Sequence, residues 1–369
     1  MKRILLWAAG LLAAVAGVGI LVTLFAYLSS DNVCDSAGAD GERMKAISYC
    51  EYGTADVLRY GDERKPDPAD NEVLVRVHAA ALNPLDWHYM RGTPYLVRVG
   101  NGLRFPQDTK MGVDFAGVVA AVGNKVTRFK PGDRVFGGRN GAFAEYVVVP
   151  DEKAIVKMPA DVSFEQAASV GIAATTALQG LRDAGHLQPG QKVLINGASG
   201  GVGTFAVQIA KSLGAEVTGV SSARNHAMLR AIGADHVIDY AVDDFTQGSE
   251  RYDLILDLVG NHALLDLRSA MREEGICVLI GGGGPDAGNW VGPLASPIKA
   301  LFLSPFVSQA FVSLLANLDQ SDLVIVGDLI SNGELDPVID RRYPLSETAA
   351  AMRYLEEGHA RGKVLLMID

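Results

Sequence analysis

Residues 191–211 read QKVLINGASGGVGTFAVQIAK. A short apolar run ends in a glycine-rich turn, and an apolar stretch with helical spacing follows. Gly197, Gly200 and Gly203 form a G-x-x-G-x-x-G string between that strand and that helix. Such a turn lets a pyrophosphate approach bare backbone, and the helix N-terminus adds unpaired N–H groups and a favourable dipole. Reading onward, a helix over Gly201–Leu213 stops at Gly214, and EVTGV is a strand. A helix follows over Arg224–Ile232, then strands HVID and YDLILDLVG, a helix over Ala263–Met271 and a strand CVLIGG. Strand alternating with helix predicts an α/β fold with a doubly wound parallel sheet that binds a dinucleotide.

The end of the second strand bears on which dinucleotide. A cofactor with free ribose hydroxyls usually meets Asp or Glu there, about 20 residues past the glycines. This chain has Ser221, Ser222, Ala223 and Arg224 instead. Hydroxyls and a guanidinium suit a 2′-phosphate, so the expected cofactor is NADPH. Gly260, Gly281 and Gly282 close later strands, where a ligand crevice forms at the carboxyl ends of the sheet.

Upstream, residues 44 to about 160 read as mostly β, in short strands punctuated by Gly and Pro: MKAISY, Glu72–Ala80, Phe115–Val122, KPGDRVFG from Lys130, and Ala142–Val149. That pattern predicts an antiparallel, barrel-like unit. Ser163 followed by Gln166 is a capping box for a helix running toward Gly185.

The N-terminus differs in character. Ile4–Leu28 is 25 residues without a charge, with Trp7 and Tyr27 near its ends and Lys2 and Arg3 ahead of it. A helix of that length crosses a bilayer, and the run exceeds the usual apolar region of a cleaved signal. The reading is a retained single-pass transmembrane helix that puts residues 4–28 in the lipid bilayer. The two basic residues place the N-terminus in the cytoplasm and the enzyme across the membrane. Cofactor supply argues the reverse, and the expectation is a catalytic domain facing the cytoplasm. The expected organisation is an anchor over 1–30, a linker over 31–43, the β domain over 44–165, the nucleotide domain over 166–306, and a C-terminal segment over 307–369 returning to the β domain.

A net charge of −10 excludes a general nucleic-acid binder. Cys34, Cys50 and Cys277 are widely spaced and read as three unrelated thiols.

The strings MKAISY, NEVLVRVHAAALNPLDW, GVDFAGVVAAVG, KPGDRVFG, INGASGGVGTFAVQIAK, GADHVIDY, VIDRRYPLSE and GHARGKV resemble the medium-chain dehydrogenases/reductases over about 44–369. These join a GroES-like β domain to a Rossmann domain. The chain looks most similar to their zinc-independent quinone oxidoreductase branch, within the group of the reticulon-interacting mitochondrial reductase and its bacterial relatives. The resemblance implies NADPH-dependent reduction of a quinone or other conjugated carbonyl, a small apolar electrophile. It also implies phosphate contacts at Ser199, Gly201, Val202 and Gly203, a ribose-phosphate contact at Ser222, and adenosine contacts near Tyr240. His359, Ala360 and Arg361 carry over from the C-terminal motif, with Arg361 and Lys363 as cations for a phosphate, and Thr175 lies by the nicotinamide.

Zinc members carry a ligand Cys where NPLDW places Asn83, and a second ligand near Asp114, so no metal is expected. Without metal, negative charge developing on substrate oxygen needs a donor. Asn83 is the candidate, with Asp86 orienting or capping its loop and Tyr89 or Tyr95 overhanging the site. The rival readings are a zinc-free alcohol or ketone dehydrogenase and a non-catalytic tethered NADPH-binding protein. Residues 287–306 are strongly apolar and admit a lid, a homodimer contact, a membrane-facing patch or a core helix.

Overall fold

The computed structural model describes residues 41–282 and 308–368, together with Tyr27, Asn32, Cys34, Gly284, Gly292 and Ala300. The expected anchor over 4–28 and most of the apolar 287–306 segment lie outside the described residues. Among the described residues no helix is long and apolar enough to cross a membrane.

The catalytic half is a seven-stranded sheet in the order β14-β15-β3-β4-β5-β7, with β6 (Tyr146–Pro150) also pairing β3. Its centre is β3 (Glu72–Ala81) against β4 (Asp114–Val122), followed by β5 (Arg134–Gly138) and β7 (Ile155–Lys157), all antiparallel. Small residues let this sheet close tightly: a Cβ on Gly117 would meet the Arg76 carbonyl at 2.0 Å. The C-terminus returns to it. β14 (Ile339–Pro344) pairs in parallel with β15 (Lys363–Met367), and β15 pairs antiparallel with β3. A separate hairpin joins β1 (Arg43–Ser48) to β2 (Arg59–Arg64).

The nucleotide half is a six-stranded sheet in the order β10-β9-β8-β11-β12-β13, parallel throughout. Its strands are β8 (Lys192–Asn196), β9 (Glu216–Ser221), β10 (His236–Asp239), β11 (Tyr252–Asp257), β12 (Met271–Leu279) and β13 (Ala310–Ser313). In chain order this is 3-2-1-4-5-6, the Rossmann arrangement, whose direction reverses between β8 and β11. The central strands β8, β9 and β11 are buried on both faces, as VLI, VTGV and LILD require, while the edge strands β10 and β13 are partly exposed.

Eight α-helices are seen among the described residues. α1 (Pro84–Arg91) and α2 (Leu96–Asn101) lie in the catalytic half. α3 (Phe164–Gln179) opens with the expected capping box, Ser163 Oγ accepting from the Gln166 amide and the Gln166 side chain accepting from the Ser163 amide. Its alanine-rich body is buried from Ala167 onward, and it packs on both sheets' neighbours, so it acts as the joint between the halves. α4 (Gly201–Ser212), α5 (His226–Ala231) and α6 (Leu264–Ser269) flank the parallel sheet; α7 (Gln320–Ser331) and α8 (Thr348–Glu356) belong to the C-terminal return.

The cysteines need a correction. Cys34 and Cys50 form a disulfide, while Cys277 is a free, buried thiol on β12 whose burial pushes its pKa well up. The two cysteines are sixteen positions apart, and nothing in the local sequence pattern marks the pair.

Candidate active site

The phosphate turn follows from the glycines. Gly197 has φ 87°, a conformation side chains resist. A Cβ on Gly203 would meet the Gly197 carbonyl at 2.3 Å and Ala198 Cα at 2.7 Å, so α4 packs against its own turn only with glycine there. Gly200 caps α4 in extended conformation, and a Cβ there would meet only the Gly197 carbonyl, at 3.5 Å. The first-turn N–H groups of α4, from Gly201, Val202 and Gly203, have no intrahelical partners. The turn therefore presents bare backbone and aligned donors, which fits a pyrophosphate.

The C-terminal motif closes over this turn. The Gly362 amide donates to the Ser199 carbonyl at 2.9 Å, and Gly200 and Gly362 form a parallel bridge. At the far side, Ser221 ends β9, Ser222 follows it, and Arg224 Nη2 donates to the His359 carbonyl at 3.1 Å. The Tyr240 amide lies 3.4 Å from the Ser221 carbonyl, and the tyrosine side chain is exposed. Ser221, Ser222, Arg224, Tyr240 and His359 thus gather at one edge, although they span the sequence from 221 to 359. Ala360 packs on the β-domain core, and the Arg361 amide donates to Asp340.

The crevice at the switch point has a scaffold that residue reading missed. Asp257, at the end of β11, is buried; its carboxylate accepts from Asn196 Nδ2 at 2.9 Å and from the amides of Val259 and Gly260. Its carbonyl accepts from the Ile280 and Gly281 amides. A Cβ on Gly260 would meet Gly282 Cα at 2.8 Å, and one on Gly281 the Leu258 carbonyl at 1.9 Å. Asn196 and Asp257 therefore lock the floor on which Gly260, Gly281 and Gly282 sit. Asn196 ends β8 directly before Gly197, and Asp257 ends β11 three residues before Gly260, the signal that marks them.

The catalytic half contributes a buried charged cluster. Lys363 and Asp114 are 2% and 0% exposed, with Nζ 3.7 Å from the carboxylate. Lys363 Nζ donates to Asn83 Oδ1 at 2.6 Å and to the Leu82 carbonyl at 3.1 Å. Asn83 Nδ2 donates to Asp114 at 2.9 Å and to the Ala81 carbonyl. The amide expected to face substrate is thus engaged on both its atoms. The Lys363 ammonium points into this cluster, while its stem lies where a Cβ on Gly201 would be, 3.2 Å from Cδ. Asp114 also accepts from the Ile172 amide of α3 at 2.9 Å, and one turn on the Thr175 hydroxyl donates to the Gly171 carbonyl. The cluster thereby connects the phosphate turn, the β-sheet and the joint helix.

Asp86 accepts from the Asn83 amide at 2.7 Å, capping α1. Burial, reinforced by nearby Asp114, pushes its pKa up to about 7, against the Asn83 amide and Lys363. Burial also raises Asp114 and lowers Lys363, each opposed by the other's charge. Because the fold binds the Asp86 proton more tightly than the unfolded chain, stability is greatest below about pH 4 for this group and falls as pH rises toward 7. Asp86→Asn, which keeps the capping acceptor, is expected to gain about 1–2 kcal/mol at pH 8 and to flatten that slope; urea titrations at pH 5 and 8 check it, and an equal loss at both pH values overturns it. Tyr89 stands exposed on α1, and Tyr95 occupies the position before α2.

Among the described residues no three His, Cys, Asp or Glu side chains converge as a metal group would need. Residues 69–160 match the alcohol dehydrogenase GroES-like domain, and residues 232–366 the zinc-binding dehydrogenase family. The chloroplastic quinone-oxidoreductase homolog of Spinacia oleracea is 32% identical, covering 88% of this chain and 98% of its own. The mitochondrial NAD(P)H oxidoreductase RTN4IP1 of Mus musculus is 33% identical over 88% of this chain and 89% of its own. Quinone oxidoreductase from Coxiella burnetii superposes with TM-score 0.79 at 31% identity, over 89% of this chain and all of that one. The Escherichia coli quinone oxidoreductase solved with NADPH gives 0.75 at 26%, over 88% and 99%.

Proposed function

Since the chain belongs to the medium-chain dehydrogenases/reductases, among the quinone oxidoreductase homologues, and is an oxidoreductase, we propose that it passes hydride from NADPH to a quinone or another conjugated carbonyl compound. The observation that carries this reading is the hydrogen bond from Arg224 to the His359 carbonyl beside Ser221 and Ser222. That edge offers a guanidinium and hydroxyls and no carboxylate from β9, which suits a 2′-phosphate.

When bound, the reduced nicotinamide supplies the hydride. The residues do the rest. The 197–203 turn and α4 hold the pyrophosphate. Asp257 and Asn196 brace the crevice floor beside which the cofactor would lie. Lys363 and Asp114 hold Asn83, which shapes the wall above α3 and Thr175. Asn83 is a positioning residue here, because its amide is spent on the cluster. Tyr89 is an exposed hydroxyl on the outer helix, within reach of solvent, which delivers the proton that completes reduction.

We further propose that residues 4–28 anchor the enzyme in a membrane, supported by their 25 uncharged positions. A lipid-soluble acceptor then meets the enzyme at its own phase boundary.

The test is turnover on the purified full chain in detergent. Quinones and enones are expected to drive NADPH oxidation, with kcat/KM for NADPH at least about tenfold above that for NADH. Alcohol oxidation without quinone or enone reduction selects the zinc-free dehydrogenase instead. Tight NADPH binding with no turnover on either panel leaves a binding protein.

A further inference from the structure

The disulfide places the tether on one particular face. Cys34 lies six residues past Leu28, the end of the uncharged run, and is bonded to Cys50 just after β1. At about 3.3–3.6 Å per residue, six residues reach about 20 Å, whereas the path from Leu28 to Arg43 would allow about 50 Å. The bond therefore brings the domain close to wherever the run ends.

The surroundings of Cys50 say which face comes close. The Tyr49 amide donates to the Thr109 carbonyl, and the Tyr52 hydroxyl to the carbonyls of Asn101 and Gly102. Arg98 lies over the Tyr52 ring at 4.4 Å. Cys50 thus sits beside α2 and the 102–109 loop. On α2, Leu96 and Val99 are 59% and 70% exposed, three residues apart on one side of the helix. Arg104, in the adjoining loop, stands 5.7 Å from the ring centre of Tyr27, near the end of the uncharged run. Exposed aliphatic side chains among tyrosines and arginines match what the bilayer interface accepts: apolar bodies inserted, rings and guanidinium groups at the headgroups.

We propose that α2 and the 102–109 loop rest on the lipid bilayer, clamped there by the Cys34–Cys50 disulfide, on the oxidising side of the membrane. The side follows from two observations. Disulfides persist in oxidising compartments and are rare in the cytosol. Lys2 and Arg3 before the run, with no basic residue from 29 to 42, hold the N-terminus on the cytoplasmic side and send the domain across. This reverses the expectation drawn from cofactor supply, and reduced nicotinamide has to be available on that side. The docking rests on the anchor proposed above.

The experiment uses the full chain in bacterial cells. Thiols are alkylated with a permeant reagent before lysis, and peptides are mapped without reduction. Membranes are then washed with alkaline carbonate, and the protein is reconstituted into phosphatidylcholine vesicles with or without brominated acyl chains. Emission added by Val99→Trp is compared with that added by Val242→Trp, an exposed position after β10. The Cys34–Cys50 peptide is expected in most chains. Quenching of the residue-99 tryptophan is expected to exceed that at 242 at least twofold and to fall toward it in the Cys34→Ser, Cys50→Ser background. Release by carbonate overturns anchor and docking together. Retention with equal quenching overturns the docking face alone. Alkylation of both cysteines in intact cells overturns the clamp and the side.

Discussion

Lys363→Met is expected to lower the melting temperature by about 6–15 °C while leaving NADPH affinity of the folded protein within about threefold of the parent. The first half follows from what the lysine faces. Its ammonium is the cation of a cluster that also holds the carboxyl groups of Asp114 and Asp86, all buried. Removing one partner of a buried pair leaves the other charge uncompensated, at about 3–5 kcal/mol. Adding Asp114→Asn should recover about half of that, because it removes the stranded charge yet keeps an acceptor for the Ile172 amide and a partner for Asn83. The second half follows from the methionine stem, which still packs against Gly201. Calorimetry and NADPH titration separate the alternatives. A small change in melting temperature with a tenfold or larger loss of NADPH affinity would mean that Lys363 serves a phosphate directly.

That lysine also shows where residue reading stops. The phosphate turn was legible because its information is local: three glycines between a strand and a helix inside a seven-residue window, with a positive φ at Gly197 and a close backbone approach at Gly203. The capping box at Ser163 and the parallel, doubly wound character of the sheet were legible for the same reason, since capping partners sit three residues apart and strands alternate locally with helices. Lys363 reads, from its neighbours in GHARGK, as one more cation for a phosphate. Its partner Asp114 lies on the far side of the chain, and only the pairing of β15 with β3 and of β3 with β4 brings the two together. Asn83 illustrates the same limit from the other direction. Its type and place suggested a donor for substrate, but a side chain's free hydrogens depend on neighbours contributed by distant strands. The Cys34–Cys50 bond has no local signature at all, because its ends lie sixteen positions apart in the sequence.

Combining Ser222→Asp with Arg224→Ala is expected to weaken NADPH binding by about 2–4 kcal/mol, and NADH binding far less. The substitution acts twice at one edge. Arg224 is exposed and bound only to the His359 carbonyl in what is described, so removing its guanidinium disturbs packing little but withdraws a charge-assisted donor from the proposed 2′-phosphate position. An aspartate at 222 adds a like charge where β9 ends, and a carboxylate there is the group that pairs with free ribose hydroxyls. The two effects pull the cofactors apart: repulsion and a lost donor for NADPH, a new acceptor for NADH. The fold should tolerate both changes, since Ser222 has extended backbone at the N-cap of the 223–225 turn, where aspartate is also a good cap. Equilibrium titration of both cofactors by nicotinamide fluorescence reads the outcome, with the melting temperature as a control for folding. Equal losses for the two cofactors would remove the 2′-phosphate from this edge and leave the Arg224 contact as a brace for the C-terminal return.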